Sequence, residues 1–205
     1  MRIGLLGTGH VARALGAAWA TAGHDILLGS RSPEDRADLG LPVASPAEAA
    51  AHAEVLVNAT PGTESLNVLT GIGAAALDET VLIDAAIGFT PEGTLSHPVE
   101  SLGEVLQRTF PGTRVVKTLC TMTASVMADP GGLTEPGTVF LSGDDAAAKD
   151  TTERLLGDLG WPEASRLDIG GIETARGQEH FALLFLGIAG GLGTHTFNVR
   201  VVQGA

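Results

Sequence analysis

The chain is short of cysteine, of positive charge and of long apolar runs, and it has no tyrosine. A single cysteine, Cys120, excludes an intrachain disulfide and points to a reducing cytoplasm. Only 12 Lys and Arg stand against 24 Asp and Glu, a net charge of −12. That excludes partners that need a basic surface, nucleic acid and anionic membranes among them. It also makes each cation informative, because an acidic chain that binds a polyanion must gather its few positive groups at one place. Nowhere do about 18 apolar residues run without interruption, as a membrane span requires. The opening MRIGLLGTGH reaches a glycine turn too early for a signal peptide. The six histidines are scattered, with no pair at zinc-ligand spacing beside a third ligand, so no metal site is expected. No nucleophile with an evident base appears, and the missing tyrosine removes one common proton donor.

What is present is a globular composition: 205 residues, 44% hydrophobic and 18% charged, enough for one α/β domain or such a domain with a small appendage. The apolar run at 2–6 reads as a buried parallel strand. Residues 11–22 are Ala-rich, with Leu15 and Trp19 four apart, and predict a helix that stops at Gly23. Strands follow at 25–28, 54–59, 80–84 and 113–118. Helices follow at Ser32-Pro33, at 46–52 and at 99–109. This alternation predicts a parallel sheet covered on both faces. After Asp129-Pro130-Gly131-Gly132 the texture changes: a strand at 138–142, a helix at 145–159, a strand at 165–169 and a long helix at about 172–192.

Gly7-Thr8-Gly9-His10-Val11-Ala12 matches G-x-G-x-x-A between a predicted strand and a predicted helix, the context that gives the pattern meaning. Gly7 permits the tight turn, Gly9 lets the backbone approach a pyrophosphate, and Ala12 keeps the helix close to the sheet. The free N–H groups at the helix start, around His10 and Val11, then hold the phosphates. The expected architecture is a Rossmann-type, doubly wound, mostly parallel α/β sheet. Residues 1–130 form the dinucleotide domain, and 131–205 a small C-terminal α/β lobe ending in the long helix. The second strand exits through Ser30-Arg31, with no acid where an NAD site places Asp or Glu. A hydroxyl and a planar cation suit a 2′-phosphate, so the cofactor expected is NADP(H), with Thr8 adding a second hydroxyl. Arg36, on the next helix, either joins them or faces water.

Ligands of open α/β sheets lie outside the carboxyl ends of the strands. That rule adds Thr60-Pro61, the loop starting Asp84-Ala85, and 118–122. Ala85 is expected against the cofactor. Asp84, at the end of an apolar strand, either bonds loop amides or acts as an acid–base group. Lys117, one of only two lysines, sits in a strand that should be buried and needs a phosphate, a carboxylate or a route to solvent. Cys120 reads as a small apolar residue rather than a nucleophile. His180, like His195, falls on the last helix and is either a proton donor or a satisfied helix histidine. No catalytic residue is identified beyond Asp84 and His180 as candidates.

The run GLLGTGHVARALGAAWATAGHDILLGSR resembles the start of the coenzyme F420-dependent NADP oxidoreductase family. VVKTLCTMTASVMADP resembles its middle strand and loop, and LDIGGIETARGQEHFALLFLGIAGGLGTHTFNVRVV its last strand and C-terminal helix. The resemblance implies NADPH across the glycine turn, with Thr8, Ser30 and Arg31 at the 2′-phosphate. It implies a deazaflavin, coenzyme F420, stacked on the nicotinamide in a cleft between the lobes. It also implies a homodimer, for which the apolar segment 181–192 is a candidate contact. His10 stands where the family commonly has Asn. Lys117-Thr118-Leu119-Cys120-Thr121 lacks a common Phe-Asn pair, and Ile87-Gly88 replaces a common Asn-Pro. These departures touch the side of the second reactant, not the NADP side. Three readings follow. One is hydride transfer between NADPH and a deazaflavin, which needs little side-chain chemistry. Another is NADPH-dependent reduction of a small imine or carbonyl substrate, with Asp84, His180 or a water supplying the proton. The third is a nicotinamide-binding sensor without turnover.

Overall fold

A computed structural model describes residues 1–36 and 38–204. The chain runs β1 (Arg2–Leu6), α1 (His10–Thr21), β2 (Asp25–Gly29), β3 (Val43–Ala44), α2 (Pro46–His52), β4 (Val55–Asn58), α3 (Gly62–Ile72), α4 (Ala74–Leu77) and β5 (Val81–Asp84). It continues with α5 (Leu102–Thr109), β6 (Arg114–Thr118), α6 (Ala124–Ala128), β7 (Val139–Ser142), α7 (Ala146–Asp158), β8 (Arg166–Asp168) and α8 (Ala175–Leu192). The eight strands form one sheet in the order β3-β2-β1-β4-β5-β6-β7-β8. Strands β1 to β6 are parallel; β7 runs antiparallel to β6, and β8 parallel to β7. The first six positions reproduce the Rossmann order and put the reversal of winding beside β1. Residues beyond 130 extend this same sheet through β7 and β8.

Alternation along each strand divides the core. Ile3, Leu5, Val57, Ile83 and Val116 face α1, α6 and α7, where Leu15, Trp19, Val126, Met127, Leu155 and Leu156 close the layer. Leu6, Leu56, Leu82 and Val115 face Leu69 of α3, Leu102 and Leu106 of α5, and Ala175 of α8. The Trp19 indole N–H donates to Leu155 O at 3.0 Å, tying α1 to α7 across the first layer. Capping boxes fix two helix starts. Ser45 with Glu48 opens α2, and Ser101 with Glu104 opens α5, which is why α5 begins at Leu102 rather than at 99.

Other departures from the sequence reading have local causes. Helix α3 is not anticipated, since Gly62, Thr63, Asn67, Thr70 and Gly71 are weak helix formers; its packing on α2, and Leu69 in the core with Leu56 and Leu82 of the sheet, override them. The last helix opens with a 3₁₀ turn, Ile172–Thr174, and is α-helical only from Ala175. It ends at Leu192, so His195 lies beyond it, not on it. Among the described residues, no helix is long and apolar enough to cross a membrane.

Candidate functional site

The carboxyl ends of β1, β2, β4 and β5 open into a cleft of about 660 Å³, a size typical of ligand sites. Its first wall is the β1–α1 turn, Gly7 to Val11. Gly7 has φ +109°, and a Cβ there would meet Ala59 O at 2.8 Å, so backbone conformation and space both require glycine. Gly9 is different: its φ of −75° is ordinary, and a Cβ would point into open space. No side chain caps α1, and its first turn carries no acid, which leaves the opening N–H groups for an anion. The turn, Gly7, Thr8, Gly9, His10 and Val11, lines the cleft as the motif predicts. Ala12 does not line it; it is fully buried in the core under α1, in the packing role the motif gives it, which corrects its inclusion among the cofactor contacts.

The second wall is the exit of β2. Gly29, Ser30, Arg31, Ser32 and Arg36 line it. Ser30 is nearly buried and anchored, its N–H on Ala44 O at 2.8 Å and its Oγ accepting from Ser32 N at 3.2 Å. Arg31 and Arg36 are exposed, and among the described residues neither enters an ion pair. Two guanidinium groups beside a hydroxyl make this wall locally positive in a chain of net charge −12, and their planar donor forks suit an anion.

The far wall comes from the exits of β4 and β5. Ala59, Thr60 and Pro61 meet Ala85, Ala86 and Ile87 there. Glu64 and Val68 of α3 and Pro46 of α2 complete the lining. The sequence reading misses Glu64 and Val68, because it places no helix over Gly62–Ile72; the Leu66, Leu69, Ile72 spacing is the signal for one. A shallower apolar recess lined by Pro46, Val68, Ile72 and Asn67 continues past Arg31.

Neither candidate acid reaches this cleft. Asp84 is fully buried beneath its floor. Its carboxylate accepts from Lys117 Nζ at 2.9 Å, Asn58 Nδ2 at 2.9 Å and Ala86 N at 3.1 Å. Burial pushes the Asp84 carboxyl above its ordinary value while Lys117 pulls the other way. With all its neighbours donating, Asp84 is an internal acceptor that bonds the Ala86 loop amide, the first of its two readings, and the acid–base alternative is corrected. His180 is exposed on α8, its Nε2 3.1 Å from Pro98 O, outside the cleft lining; its reading as a proton donor there is corrected too. Lys117 has both a carboxylate pair and a carbonyl. Its Nζ meets Asp84, Glu179 Oε1 at 2.8 Å and Ala86 O. Burial works against its charge, but Asp84 and Glu179 outweigh it and hold the ammonium protonated above the ordinary lysine value. Burial pushes the Cys120 thiol up to about 12, so it remains a neutral, apolar packing group.

Known proteins resemble this chain in sequence and fold. Residues 2–88, from β1 through the exit of β5, match the family model described as NADP oxidoreductase coenzyme F420-dependent. A candidate F420-dependent NADP reductase from Arthrobacter sp. FB24 has a crystal structure that superposes with a TM-score of 0.92 at 39% identity. The match covers 99% of this chain and 100% of that one. An F420-dependent NADP reductase of Methanothermobacter marburgensis is 28% identical over 92% of each chain. A Streptomyces aurantiacus imine reductase shares the fold, with a TM-score of 0.65 at 18% identity over 92% of this chain and 62% of its own. The full-length match at 39% identity, with the glycine turn and cationic wall in place, means that the chain belongs to the coenzyme F420-dependent NADP oxidoreductase family and is an NADP-dependent oxidoreductase.

Proposed function

We propose that the protein passes hydride between NADP(H) and a deazaflavin, coenzyme F420. In this reading the pyrophosphate lies against Gly7, Thr8, Gly9, His10 and Val11. The 2′-phosphate meets Ser30, Arg31 and Arg36, with Thr8 near, and the nicotinamide half extends toward Thr60, Pro61 and Ala85. The fit rests on this chain's own geometry: a Cβ on Gly9 would fill the cradle, and the start of α1 leaves its donors free. Residues 131–205 bound the side from which the second reactant approaches the nicotinamide.

The observation that carries the reading is the chemistry of the inner wall. Ala59, Pro61, Ala85, Ala86 and Ile87 supply shape and exclude water but have no proton to give; the Thr60 hydroxyl beside them donates to Asn58 Oδ1 at 2.7 Å, and Glu64 of α3 is the one carboxyl group among the described residues of the lining. NADPH supplies a hydride and the deazaflavin accepts it, so orientation is most of what the protein must add. Reduction of an imine or a carbonyl would need a donor at this wall, and no observation favours it; the imine reductases share only the fold. The names borne by the Arthrobacter and Methanothermobacter relatives support the deazaflavin.

The protein acts as a homodimer in this reading. Leu183, Leu184, Leu186 and Leu192 leave 46 to 61% of their surface exposed around the C-terminal half of α8, an apolar segment suited to a second copy. The free, buried Cys120 suits a reducing cytoplasm.

Mixing the protein with NADPH and oxidised coenzyme F420 tests the function. Loss of the deazaflavin absorbance, in step with NADPH oxidation, is expected. Retained NADPH binding with no change in that absorbance would overturn the reading. If imines or ketones then drive NADPH oxidation, the reductase alternative takes its place; if none does, the sensor alternative does. Light scattering of the parent and of Leu184→Asp, expected as dimer and monomer, tests the assembly.

A further inference from the structure

The buried polar groups nearest the cleft form one continuous structure. Asn58, Asp84 and Lys117 lie side by side in register on β4, β5 and β6, at or next to the last position of each strand. Below them the same face is wholly apolar: Leu56, Leu82 and Val115. A row of ionised and amide groups set into such a face carries a large desolvation cost unless every group is bonded, and here the groups are. Lys117 Nζ has three acceptors: Asp84 Oδ2 at 2.9 Å, Glu179 Oε1 at 2.8 Å and Ala86 O. Asp84 Oδ1 accepts from Asn58 Nδ2 at 2.9 Å and Ala86 N at 3.1 Å. Asn58 Oδ1 accepts from Thr60 N at 3.3 Å and Thr60 Oγ1 at 2.7 Å.

The row ends on the cleft at two points. Ala86 is held at its N–H by Asp84 and at its carbonyl by Lys117, and Thr60 is held at its N–H and its hydroxyl by Asn58. Both residues line the far wall. At the other end, Glu179 of α8 also accepts from the Leu102 and Gly103 N–H groups at the start of α5, at 2.9 and 3.2 Å. The anchor of Lys117 is thus fixed by two helices.

We propose that Lys117 is a positioning residue: through Asp84 and Asn58 it sets the Thr60 and Ala86 walls that orient the nicotinamide half of the cofactor. This rests on the NADP reading of the cleft. Lys117 and Asn58 do not themselves line it. The phosphate site at Ser30 and Arg31 stands on β2, two strands from β4, roughly 10 Å away at the usual strand spacing. The row should leave that site alone.

That separation supplies the test. NADPH spans both ends, whereas 2′,5′-ADP carries only the adenosine end. Isothermal titration of both ligands is compared in the parent, in Lys117→Met and in Asn58→Ala. Asn58→Ala cuts the row at the cleft while keeping the Lys117 ion pairs, so it remains readable if Lys117→Met fails to fold. In each folded variant NADPH is expected to weaken by about tenfold, with 2′,5′-ADP unchanged. Hydride transfer at saturating NADPH should slow by up to about a hundredfold, as misplaced reacting atoms do. Equal weakening of both ligands, or full NADPH affinity and rate in folded variants, would overturn the proposal. A parent protein that binds neither ligand would overturn the cofactor reading, and this inference with it.

Discussion

Gly62 and Gly88 meet backbone to backbone where β4 and β5 leave the sheet: a Cβ on Gly62 would lie 2.3 Å from the Gly88 nitrogen. The Gly62 N–H also donates to Ile87 O at 3.1 Å. The two loops that form the far wall are therefore pressed together without a side chain between them. Gly62→Ala should force them apart, costing about 1–3 kcal/mol in urea unfolding and weakening NADPH. Gly71→Ala, in the same helix with open space around it, is the control and should hold or raise stability. Equal stability of the two variants would refute the contact.

Gly9→Ala should separate folding from binding. The backbone at Gly9 is one that any residue adopts, and its added methyl would meet no protein atom. Thermal stability should stay at or slightly above that of the parent. NADPH affinity should fall by tenfold or more, on the order of 1.4 kcal/mol, because the methyl enters the space assigned to the pyrophosphate. Unchanged affinity in calorimetry would remove the pyrophosphate from this turn.

Arg31→Ala should discriminate between the two nicotinamide cofactors. A charge-assisted bond to the 2′-phosphate contributes about 1.5–3 kcal/mol, so NADPH should weaken by roughly 10- to 150-fold while NADH barely changes. The NADPH effect should shrink as salt is added, since Arg31 is exposed. Equal losses for both cofactors would place the cation elsewhere.

Glu104 predicts an acid-dependent contribution to stability. It closes the α5 capping box with Ser101 and receives two bonds from Arg176 of α8, at 2.7 and 2.5 Å. Burial alone would raise its pKa, but the Arg176 and Ser101 bonds outweigh it and hold the carboxyl below its ordinary value. For a lowered native pKa the stabilisation is complete above the unfolded-state value, about 4.3. It is lost as pH falls through the lower native value. Glu104→Gln should cost about 1–2 kcal/mol at neutral pH, and the gap to the parent should close on acidification below about pH 4. Urea unfolding across that range reads it; a gap independent of pH would argue against an ionic origin.

The glycine turn and the Ser30-Arg31 exit are legible in the sequence because each is local. A strand, a turn and a helix start lie within twelve residues, and the second strand's exit must lie beside the first in a right-handed crossover. Ala85 is reachable from the rule that sites sit at the carboxyl edge, whereas for Arg36, on the next helix, the sequence leaves the cleft and open water as alternatives. The α3 wall is not reachable, since Glu64 and Val68 sit on a helix that packing stabilises against its own weak propensity. For Asp84 and His180 the sequence leaves a structural and an acid–base role open, and the structure selects the structural one: Asp84 is buried and accepts from the Ala86 N–H, and His180 lies against Pro98 O outside the cleft.

By itself the sequence determined the glycine turn between the first strand and helix, a cation with no acid at the exit of the second strand, and the mostly parallel sheet. These follow from periodicity, backbone freedom and charge among neighbours in the chain. Only the tertiary structure decided that Asn58, Asp84 and Lys117 form one row, and that Glu179 completes it from α8. Those partners are 26, 33 and 62 positions apart in sequence, the last being 179 less 117. Strand register and the docking of a distant helix bring them together, and no pattern along the chain encodes which buried charge will face which.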